Sequence, residues 1–472
     1  MSVFVTETFR ADLLARYPGL AKRPGYTRLL LHLLSGGFED GDTGEVVISA
    51  ALLARFDGQE AQHRSRNFRA ESFLEDFRRD VLPEFEWSEG WSYTEGKART
   101  ARVEGVEPDV LKAFESMHLE IALGARPVDA VTGRKLTRQR AADEHKERAA
   151  CVARAGQLVS FVSPSTQRVI DYQNRIDVRA FSQVVNANRA AAIEMAQAIP
   201  NAASRIQALA NLASICVNPK PYIRPVENSP RAFSDRQSLL TIKSDIRREL
   251  TKVWVDYDLR AAQLAIIAKE WDLPELKDAL ESSQSIWAVL GGRLGLAPAM
   301  KPALKRAVYS LVFGGSQREI GSALEASTGI ADIGSRFFAD PLLRMVYDAR
   351  EEQVDRLLRA KRGVTALGKE VEIPYRGSRE ERASMAKSFL AQQAQSVELM
   401  LLAPVYELAE GNYYFSVMLY QFDGFTVRYQ DRRNSALWHS RILAAVESRA
   451  RELGVPTWLT CQPGEDFSWP LD

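Results

Sequence analysis

Apolar residues recur at helical spacing along most of this 472-residue chain. Near the start, this spacing predicts helices over Tyr26–Leu34, Ser49–Phe56 and Phe68–Leu82. The segment that follows, EFEWSEGWSYTEGKARTARVEGV, alternates apolar and polar residues around two glycines and predicts a hairpin. Helices followed by a glycine-punctuated hairpin are typical of a winged-helix module, which we predict for residues 1–115.

Basic residues gather in the later part of this N-terminal region. They are Arg64, Arg66, Arg69, Arg78, Arg79, Lys97, Arg99 and Arg102. They form either a solvated face on a packing or dimerisation domain or a surface that contacts DNA.

The middle of the chain reads as nearly continuous helix from about residue 130 to residue 218, rich in Ala, Arg and Gln. Pro200 and Asn201 predict a turn between two of these helices. The next segment, PKPYIRPVENSPRAF, is dense in proline and lacks periodicity, so we predict a loop or an extended connection.

The remainder combines strands and helices. Alternation at Val253, Val255 and Tyr257 predicts a strand, and a helix is expected over residues 261–269. Helices dominate to about residue 360, followed by a short strand pair around VTALGKEVEIP. A long helix is predicted over Arg382–Ala409 and a hairpin over Phe415–Tyr429. The expected fold class is α+β.

Composition narrows the class of protein only a little. Hydrophobic residues make up 46% and charged residues 26%, with a net charge of +1, as in ordinary globular proteins. Cys151, Cys216 and Cys461 are far apart and form no CxxC pair, which argues against a zinc site or a disulfide framework. No apolar run approaches the ~20 residues that span a bilayer, and no signal peptide is evident. We expect a cytoplasmic protein with no membrane partner.

Three stretches carry candidate chemistry, and the first is VWVDYDLRAAQLAIIA. It ends a predicted strand with Asp256 and Asp258, which are two residues apart and therefore on one side of the strand. Carboxylates at a strand end suit Mg²⁺, which prefers oxygen ligands. The alternative is that Asp258 only caps the helix that follows.

The second stretch, KPALKRAVYSLVFGG, places Lys301, Lys305, Tyr309 and Phe313 four residues apart along one helical face. Lysines suit the oxygens of a triphosphate, and aromatic rings offer a platform for a base and a sugar. The alternative is an amphipathic helix with solvated lysines.

The third stretch, SVMLYQFDGFTVRY, is the predicted hairpin, with Asp423-Gly424 between two apolar strands. Asp-Gly is a strong hairpin signal, and a tight turn would hold the Asp423 carboxylate at a strand edge. Asp423 is therefore a candidate for a second metal-binding carboxylate.

In this order the three stretches resemble the polymerase module of family A DNA polymerases, the DNA polymerase I class, with phage-type single-subunit RNA polymerases as more distant kin. Motif A of the family, D-x-x-x-x-E-L-R-I-L-A, matches best from Asp258, which makes Asp258 the metal ligand and Asp256 the runner-up. Motif B, R-x3-K-x3-F/Y-G-x2-Y-G, matches from Lys301 to Gly314. Motif C, V-H-D-E, corresponds to the residues from Gln421 to Gly424.

The resemblance extends between motifs B and C. TALGKEVEIP is similar to the family's T-L-x-G-R-R-x-x-L-P, and KSFLAQQAQSVE is similar to its N-x-P-x-Q-G-x-A-A-D helix. It implies that Gln392 touches the minor groove of the template–primer, and we predict Arg231 as a second contact to nucleic acid. In motif detail the resemblance covers Tyr222 to Tyr429.

By this resemblance the expected fold is a right-hand polymerase with an antiparallel palm sheet, helical fingers and a helical thumb. The implied domains are the winged-helix-like domain at 1–115, a helical linker and thumb at 116–221, and palm and fingers at 222–472, with the fingers at about 270–362. The implied partners are a DNA template–primer and nucleoside triphosphates. Replication proteins are expected partners of the N-terminal domain.

The resemblance also implies roles for the motif residues. Asp258 and Asp423 would hold two Mg²⁺ ions, with Mn²⁺ as a substitute. Lys305 would neutralise the transferring phosphates and Lys301 the outer ones. Tyr309 would stack on the incoming nucleotide. Phe313 would pack under the templating base.

Three departures from the family pattern bear on specificity. Gln263 replaces the glutamate that blocks a ribose 2′-hydroxyl, and Phe313 replaces its tyrosine partner, so less strict sugar discrimination is expected. Phe422 and Gly424 replace the histidine and the glutamate of motif C. Lys301 replaces an arginine and gives up a bidentate phosphate grip.

The leading hypothesis is therefore a compact DNA polymerase from a phage or other mobile element. It is expected to lack proofreading, because no D-x-E exonuclease motif precedes Asp258. The alternative is the same fold making RNA, as a transcribing enzyme or a primase. A third hypothesis, from another class, is a non-catalytic DNA-binding replication factor.

Overall fold

The computed structural model describes residues 3–36, 45–48, 50–58, 69–88, 100–102, 106–234, 237–282, 284–374 and 376–469. This part of the chain is rich in helix and contains small antiparallel sheets. The helices are α1 (Glu7–Arg16), α2 (Pro24–Gly36), α3 (Ala50–Phe56), α4 (Ala70–Asp80), α5 (Pro108–Leu123), α6 (Arg138–Gln157), α7 (Pro164–Arg175), α8 (Val178–Gln197), α9 (Ala202–Val217), α10 (Ser244–Leu250), α11 (Ala262–Glu270), α12 (Pro274–Glu281), α13 (Ile286–Leu294), α14 (Lys301–Val312), α15 (Gln317–Thr328), α16 (Ile333–Ala339), α17 (Pro341–Ala360), α18 (Arg379–Ala409) and α19 (Ser435–Leu453).

The strands pair antiparallel throughout the described sheets. They are β1 (Phe4–Val5), β2 (Glu45–Val47), β3 (Glu86–Trp87), β4 (Thr100–Arg102), β5 (Val128–Asp129), β6 (Ile223–Val226), β7 (Ser229–Ser234), β8 (Val255–Leu259), β9 (Arg362–Val364), β10 (Glu370–Glu372), β11 (Phe415–Tyr420), β12 (Gly424–Tyr429) and β13 (Leu459–Pro463).

The chain divides into two compact units. The first unit comprises residues 1–149, 177–221 and 236–252. Helices α5, α8 and α9 pack together in it, α10 packs on α8, and the core includes buried Leu29, Phe77, Phe114 and Ile206. A three-stranded sheet of order β2-β4-β3 belongs to its N-terminal part.

The N-terminal prediction of three helices and a hairpin is matched by α2, α3, α4 and the β3–β4 pair. The predicted hairpin turn and four of the basic residues (Arg64, Arg66, Lys97 and Arg99) lie outside the described residues. Arg78 stacks over the Trp87 ring, and Arg79 forms ion pairs with neighbouring carboxylates of α4. The winged-helix assignment and the contact to DNA stay predictions.

The second unit comprises residues 150–176, 222–235 and 253–472. At its centre is a four-stranded sheet of order β11-β12-β8-β13. Strand β8 alternates buried Val255, Tyr257 and Leu259 with Asp256 and Asp258, as the period of two predicted. The two aspartates therefore share one face of the sheet.

Helix α18 is the long element around which the second unit is built. It packs against α7, α11, α17, α19, β7 and β11. The predicted helix began at Arg382, but the observed one begins at Arg379, because Ser378 and Glu381 form a capping box one turn earlier.

One segment folds differently from its prediction. The proline-dense stretch around residue 225 was expected to be a loop or an extended connection, but it forms the β6–β7 hairpin. Asn174 of α7 secures it by exchanging two hydrogen bonds with the backbone of Ile223, at 2.9 and 3.0 Å. Prolines hide strand periodicity, yet a two-stranded ribbon tolerates them where no ladder donor is needed.

Within the described residues, no helix combines the length and the apolar character needed to cross a bilayer.

Candidate active site

The register of the central sheet brings two of the predicted carboxylates side by side. Strand β12 pairs with β8 so that Gly424 lies opposite Asp258. The pairing continues one residue further, because the Leu259 amide donates to the Asp423 carbonyl at 2.9 Å. Asp258 and Asp423 therefore stand at the neighbouring ends of two paired strands.

Asp258 is not a helix cap. It lies on β8, and helix α11 starts only at Ala262 after Ala261, which has a left-handed φ of 48° and no capping side chain. The alternative explanation of Asp258 as an N-cap residue is therefore wrong, since the chain turns sharply between strand and helix without using a side chain.

Burial raises the pKa of both carboxylates, and at Asp258 neighbouring acidic residues raise it further. Burial in the site raises the pKa of Asp258 to about 7, and the nearby Asp423 and Glu398 add to the rise. Asp258 nevertheless keeps an exposed edge. Burial also raises the pKa of Asp423, while Arg231 and Lys305 oppose the rise. Negative charge at this point is thus only partly compensated by the protein.

Asp256 lies on the same face of β8 as Asp258, but its carboxylate is hydrogen-bonded within the protein. Its Oδ1 accepts a hydrogen bond from Thr426 Oγ1 at 2.6 Å and one from Gln421 Nε2 at 3.3 Å. Within the described residues, we find no hydrogen bond to the Asp258 carboxylate. Asp256 thus has partners in the protein, while the oxygens of Asp258 are available to a ligand.

The turn that carries Asp423 lies one residue earlier than predicted. The two residues at its tip are Phe422 and Asp423, and the Gln421 amide donates to the Gly424 carbonyl at 2.8 Å. Phe422 takes the left-handed conformation expected of a glycine, with φ of 68°. Gly424 is instead the first residue of β12.

Gly424 is required where it stands because two strands approach closely there. A Cβ on residue 424 would lie 2.4 Å from the Tyr257 carbonyl oxygen and 3.2 Å from Asp258 Oδ1. No side chain, and so no glutamate of the motif C type, fits this position without moving β8.

Helix α14 supplies the cationic and aromatic side of the site. The positive charge of Lys305 lowers the pKa of both aspartates, so its ammonium lies near them. Its Nζ lies 5.3 Å from the ring centroid of Trp287, which also meets the edge of Tyr309 at 5.7 Å. Burial raises the pKa of Tyr309, and the carboxylates of Asp423, Asp258 and Glu398 raise it further.

The other two predicted residues of this stretch stand at the ends of α14. Lys301 is the first residue of the helix and is exposed. Phe313 follows the last residue and is 36% exposed. Neither is brought against the carboxylates by a contact that the structure describes.

A third acidic residue, which sequence reasoning missed, lies beside the pair. Glu398 on α18 has no exposed surface and forms a bidentate ion pair with Arg231, at 2.9 and 2.6 Å. Burial raises the pKa of Glu398 to about 7, although the Arg231 guanidinium opposes the rise. Gln263 of α11 donates to the same carboxylate from Nε2. The only signal in the sequence was one acidic residue within the apolar run SVELMLLAPV.

The guanidinium of Arg231 is held from two sides. Besides the Glu398 pair, it lies 4.8 Å from the ring centroid of Phe422, which also packs against Phe233 at 5.3 Å. This packing connects β7 to the turn that presents Asp423.

Gln392 is placed away from this cluster. It is 5% exposed, its Nε2 lies 3.4 Å from Ser388 Oγ, and its Oε1 has no partner within the described residues. It lines a small cavity between α18 and the β6–β7 hairpin, together with Ser163, Thr166 and Lys369.

Whether this site can hold a metal ion depends on the ligand atoms that its side chains offer. In the part of the chain that the structure describes, no group of three or more His, Cys, Asp or Glu side chains is arranged to hold a metal ion. Mg²⁺ asks less of a protein, since it often uses one or two carboxylates and takes its other ligands from water and phosphates. Two adjacent, undercompensated aspartates fit that requirement.

Comparison with known proteins gives a likeness among solved structures only. No family model matches the chain, and no curated protein matches it. Among solved structures, the chain is similar to the POL domain of Pol1 from M. smegmatis in complex with DNA primer-template and dNTP. The identity is 12% and the TM-score 0.46, over 69% of this chain and 65% of that one. The chain thus covers less than two thirds of that structure's length.

Proposed function

We propose that this protein is a template-directed nucleic-acid polymerase that extends a primer with deoxynucleotides. The observation that carries the proposal is the placement of Asp258 on β8 beside Asp423, in the turn that leads into the paired strand β12, with Lys305 close to both. Carboxylates for metal ions beside a cation for phosphates are the parts that nucleotidyl transfer needs.

The proposed metal ligands are Asp258 and Asp423, rather than Asp256, whose Oδ1 is occupied by Thr426 and Gln421. Two bound Mg²⁺ ions would activate the primer 3′-hydroxyl and stabilise charge on the leaving pyrophosphate. Within the protein, the β8–β12 pairing fixes the spacing of the two carboxylates. Trp287 holds the Lys305 ammonium beside them, where it would meet triphosphate oxygens.

The positions of the other predicted residues limit the roles that we propose for them. Tyr309 would contact the incoming nucleotide, since it lies among the same carboxylates. Lys301 and Phe313, at the ends of α14, would meet the outer phosphates and the templating base. Arg231 gives Nε and Nη2 to Glu398, so its contact to nucleic acid is left to Nη1. Gln392 would reach the minor groove only after leaving its cavity.

Primer extension tests the proposal. A labelled primer on a DNA template is incubated with the purified chain, Mg²⁺ or Mn²⁺, and either dNTPs or rNTPs. We expect template-dependent extension with dNTPs and no removal of a mismatched 3′ terminus. Absence of extension with either metal and either nucleotide, while the protein still binds the primer–template, would favour a DNA-binding factor instead.

A second candidate function is synthesis of RNA by the same site. The observation that favours it is the buried Gln263 Oε1, an acceptor with no partner within the described residues, which a ribose hydroxyl could satisfy. Synthesis from rNTPs on a template without primer would identify this activity.

A further inference from the structure

Glu398 joins three elements of the second unit through one carboxylate. It lies on α18, receives Arg231 from β7, and receives Gln263 from α11. A buried charge of this kind is costly unless it is fully paired. Here both oxygens are used, so the carboxylate acts as a fixed anchor for the two side chains that it binds.

The anchor decides which way the Gln263 amide points. When it is ionised and paired with Arg231, Glu398 only accepts hydrogen bonds, so Gln263 turns Nε2 towards it, and a flipped amide would set two acceptors against each other. Gln263 is 4% exposed, and its Oε1 is left without a partner among the residues described. The result is a buried acceptor whose orientation is set by a residue 135 positions away in sequence.

An unpaired buried acceptor has a cost that a ligand can remove. Leaving such a group unsatisfied costs about 1–3 kcal/mol. A ligand hydroxyl that donates to it gains affinity, and an analogue without that hydroxyl does not. Ribonucleotides and deoxyribonucleotides differ in this respect, because ribose carries one hydroxyl more than deoxyribose.

We propose that Glu398 is a positioning residue that fixes Gln263 Oε1 as an acceptor for a hydroxyl of the nucleotide sugar. Glu398 does not touch the nucleotide. It sets the preference between ribose and deoxyribose through Gln263. The inference rests on the proposed function, because it takes the ligand to be a nucleoside triphosphate.

Equilibrium binding tests the inference without depending on turnover. The dissociation constants of ATP and dATP are measured with Mg²⁺ on a complex whose primer ends in a dideoxynucleotide and whose next, unpaired template base is T. In Glu398→Gln the new amide can donate to Gln263 Oε1 and use up the acceptor. We expect the affinity for ATP relative to dATP to fall about fivefold to twentyfold, as for the loss of one hydrogen bond.

Two further variants make the test specific. Gln263→Met removes the acceptor while leaving the Glu398–Arg231 pair, and it should lower the same ratio by a similar factor. In the Gln263→Met background, Glu398→Gln should change the ratio no further, because the two residues act as one unit. This second route also serves if Glu398→Gln alone fails to fold.

The matched control is Glu407→Gln on the same helix. Glu407 pairs with Arg168 at 2.6 Å on the surface, so this variant removes an α18 ion pair without touching Gln263. We expect it to leave the ratio unchanged. An unchanged ratio in Glu398→Gln and Gln263→Met, with wild-type binding intact, overturns the inference alone. Failure of the wild type to bind either nucleotide overturns the proposed function and the inference with it.

Discussion

The two faces of the central sheet treat their polar groups in opposite ways. On one face, Asp258 and Asp423 crowd together and their pKa values are raised. On the other, the Tyr257 hydroxyl bonds to Tyr429 at 2.6 Å and to His439 Nδ1 at 2.8 Å. The same strand, β8, carries both arrangements on alternate residues.

Under the proposed function, the face with Asp258 and Asp423 would bind metal ions and substrate, while the face with Tyr257 would stabilise the sheet. A face whose polar groups satisfy one another needs no ligand. A face with adjacent carboxylates and too little positive charge is destabilised by repulsion between them, and bound cations would relieve that repulsion. Substitutions on the two faces should therefore have different signatures, one in activity and the other in stability.

The largest effect on activity short of the carboxylates is expected at Lys305. Lys305→Met removes the cation beside both aspartates but keeps the hydrophobic length of the side chain. We expect kcat/KM for nucleotide in primer extension to fall by about 10²–10³-fold, as when a group that stabilises developing charge is lost. Lys301→Met, at the exposed start of the same helix, should cost less. An equal loss at both positions would contradict the placement of the site.

The next largest effect should come from Gly424→Ala. The added Cβ meets the Tyr257 carbonyl oxygen at 2.4 Å, so β8 and β12 must separate. We expect the free energy of unfolding to drop by about 1–3 kcal/mol, the usual cost of overpacking, together with a smaller fall in extension than in Lys305→Met.

Gly292→Ala is the matched control for that substitution. Gly292 lies within α13 and a Cβ there meets nothing within 4 Å. This variant should be neutral or more stable by up to about 1 kcal/mol, because alanine favours the helix. Similar denaturation curves for the two variants would show that the strands do not approach as closely as described.

On the paired face, Tyr257→Phe should affect stability only. It removes both hydrogen bonds of the hydroxyl and should cost about 1–2 kcal/mol. Because the stacking on Phe425 is kept, the rate of extension should stay at the wild-type value. Tyr429→Phe breaks one bond within this trio and should cost less. A fall in extension without a fall in stability would assign Tyr257 to the chemistry.

The smallest effect is a pH dependence from His439. Burial lowers its pKa, so the folded protein favours the neutral ring while the unfolded chain takes up a proton at the ordinary value. This contribution to stability is present above pH 6.5 and is lost as the pH falls through the folded pKa.

Urea denaturation at pH 7.5 and pH 5.5 in EDTA measures the contribution of His439 to stability. On going from pH 7.5 to pH 5.5, the free energy of unfolding should change less unfavourably in His439→Gln than in the wild type. Comparing these two proteins cancels His118 of the first unit, whose pKa burial lowers to about 3. An equal change in the free energy of unfolding in both proteins would exclude His439 as a source of the pH dependence.

The sequence predicted local features well and contacts between distant segments poorly. Alternation along β8 correctly placed Asp256 and Asp258 on one face, and hydrophobic periodicity predicted α18 to within one turn. The position of the Asp423 turn was wrong by one residue, because Asp-Gly is a local rule. The approach of β8 overrides it and puts glycine in the strand.

The hydrogen-bond network around Glu398 could not be predicted from the sequence for the same reason. Arg231, Gln263 and Glu398 meet only through the packing of α18 against β7 and α11. Trp287, which holds Lys305, likewise carries no signal in its own segment. Such contacts depend on tertiary structure, which periodicity does not encode.

The most direct measurement combines primer extension with thermal unfolding for Asp258→Asn and Asp423→Asn, with Asp348→Asn on the exposed surface of α17 as control. Both site variants should lose extension to the background of the assay while unfolding in EDTA at the wild-type temperature or above, because repulsion between like charges is removed. The control should extend normally. Full extension by either site variant, or loss of extension only together with loss of the folded state, would contradict a metal-binding pair at the end of β8.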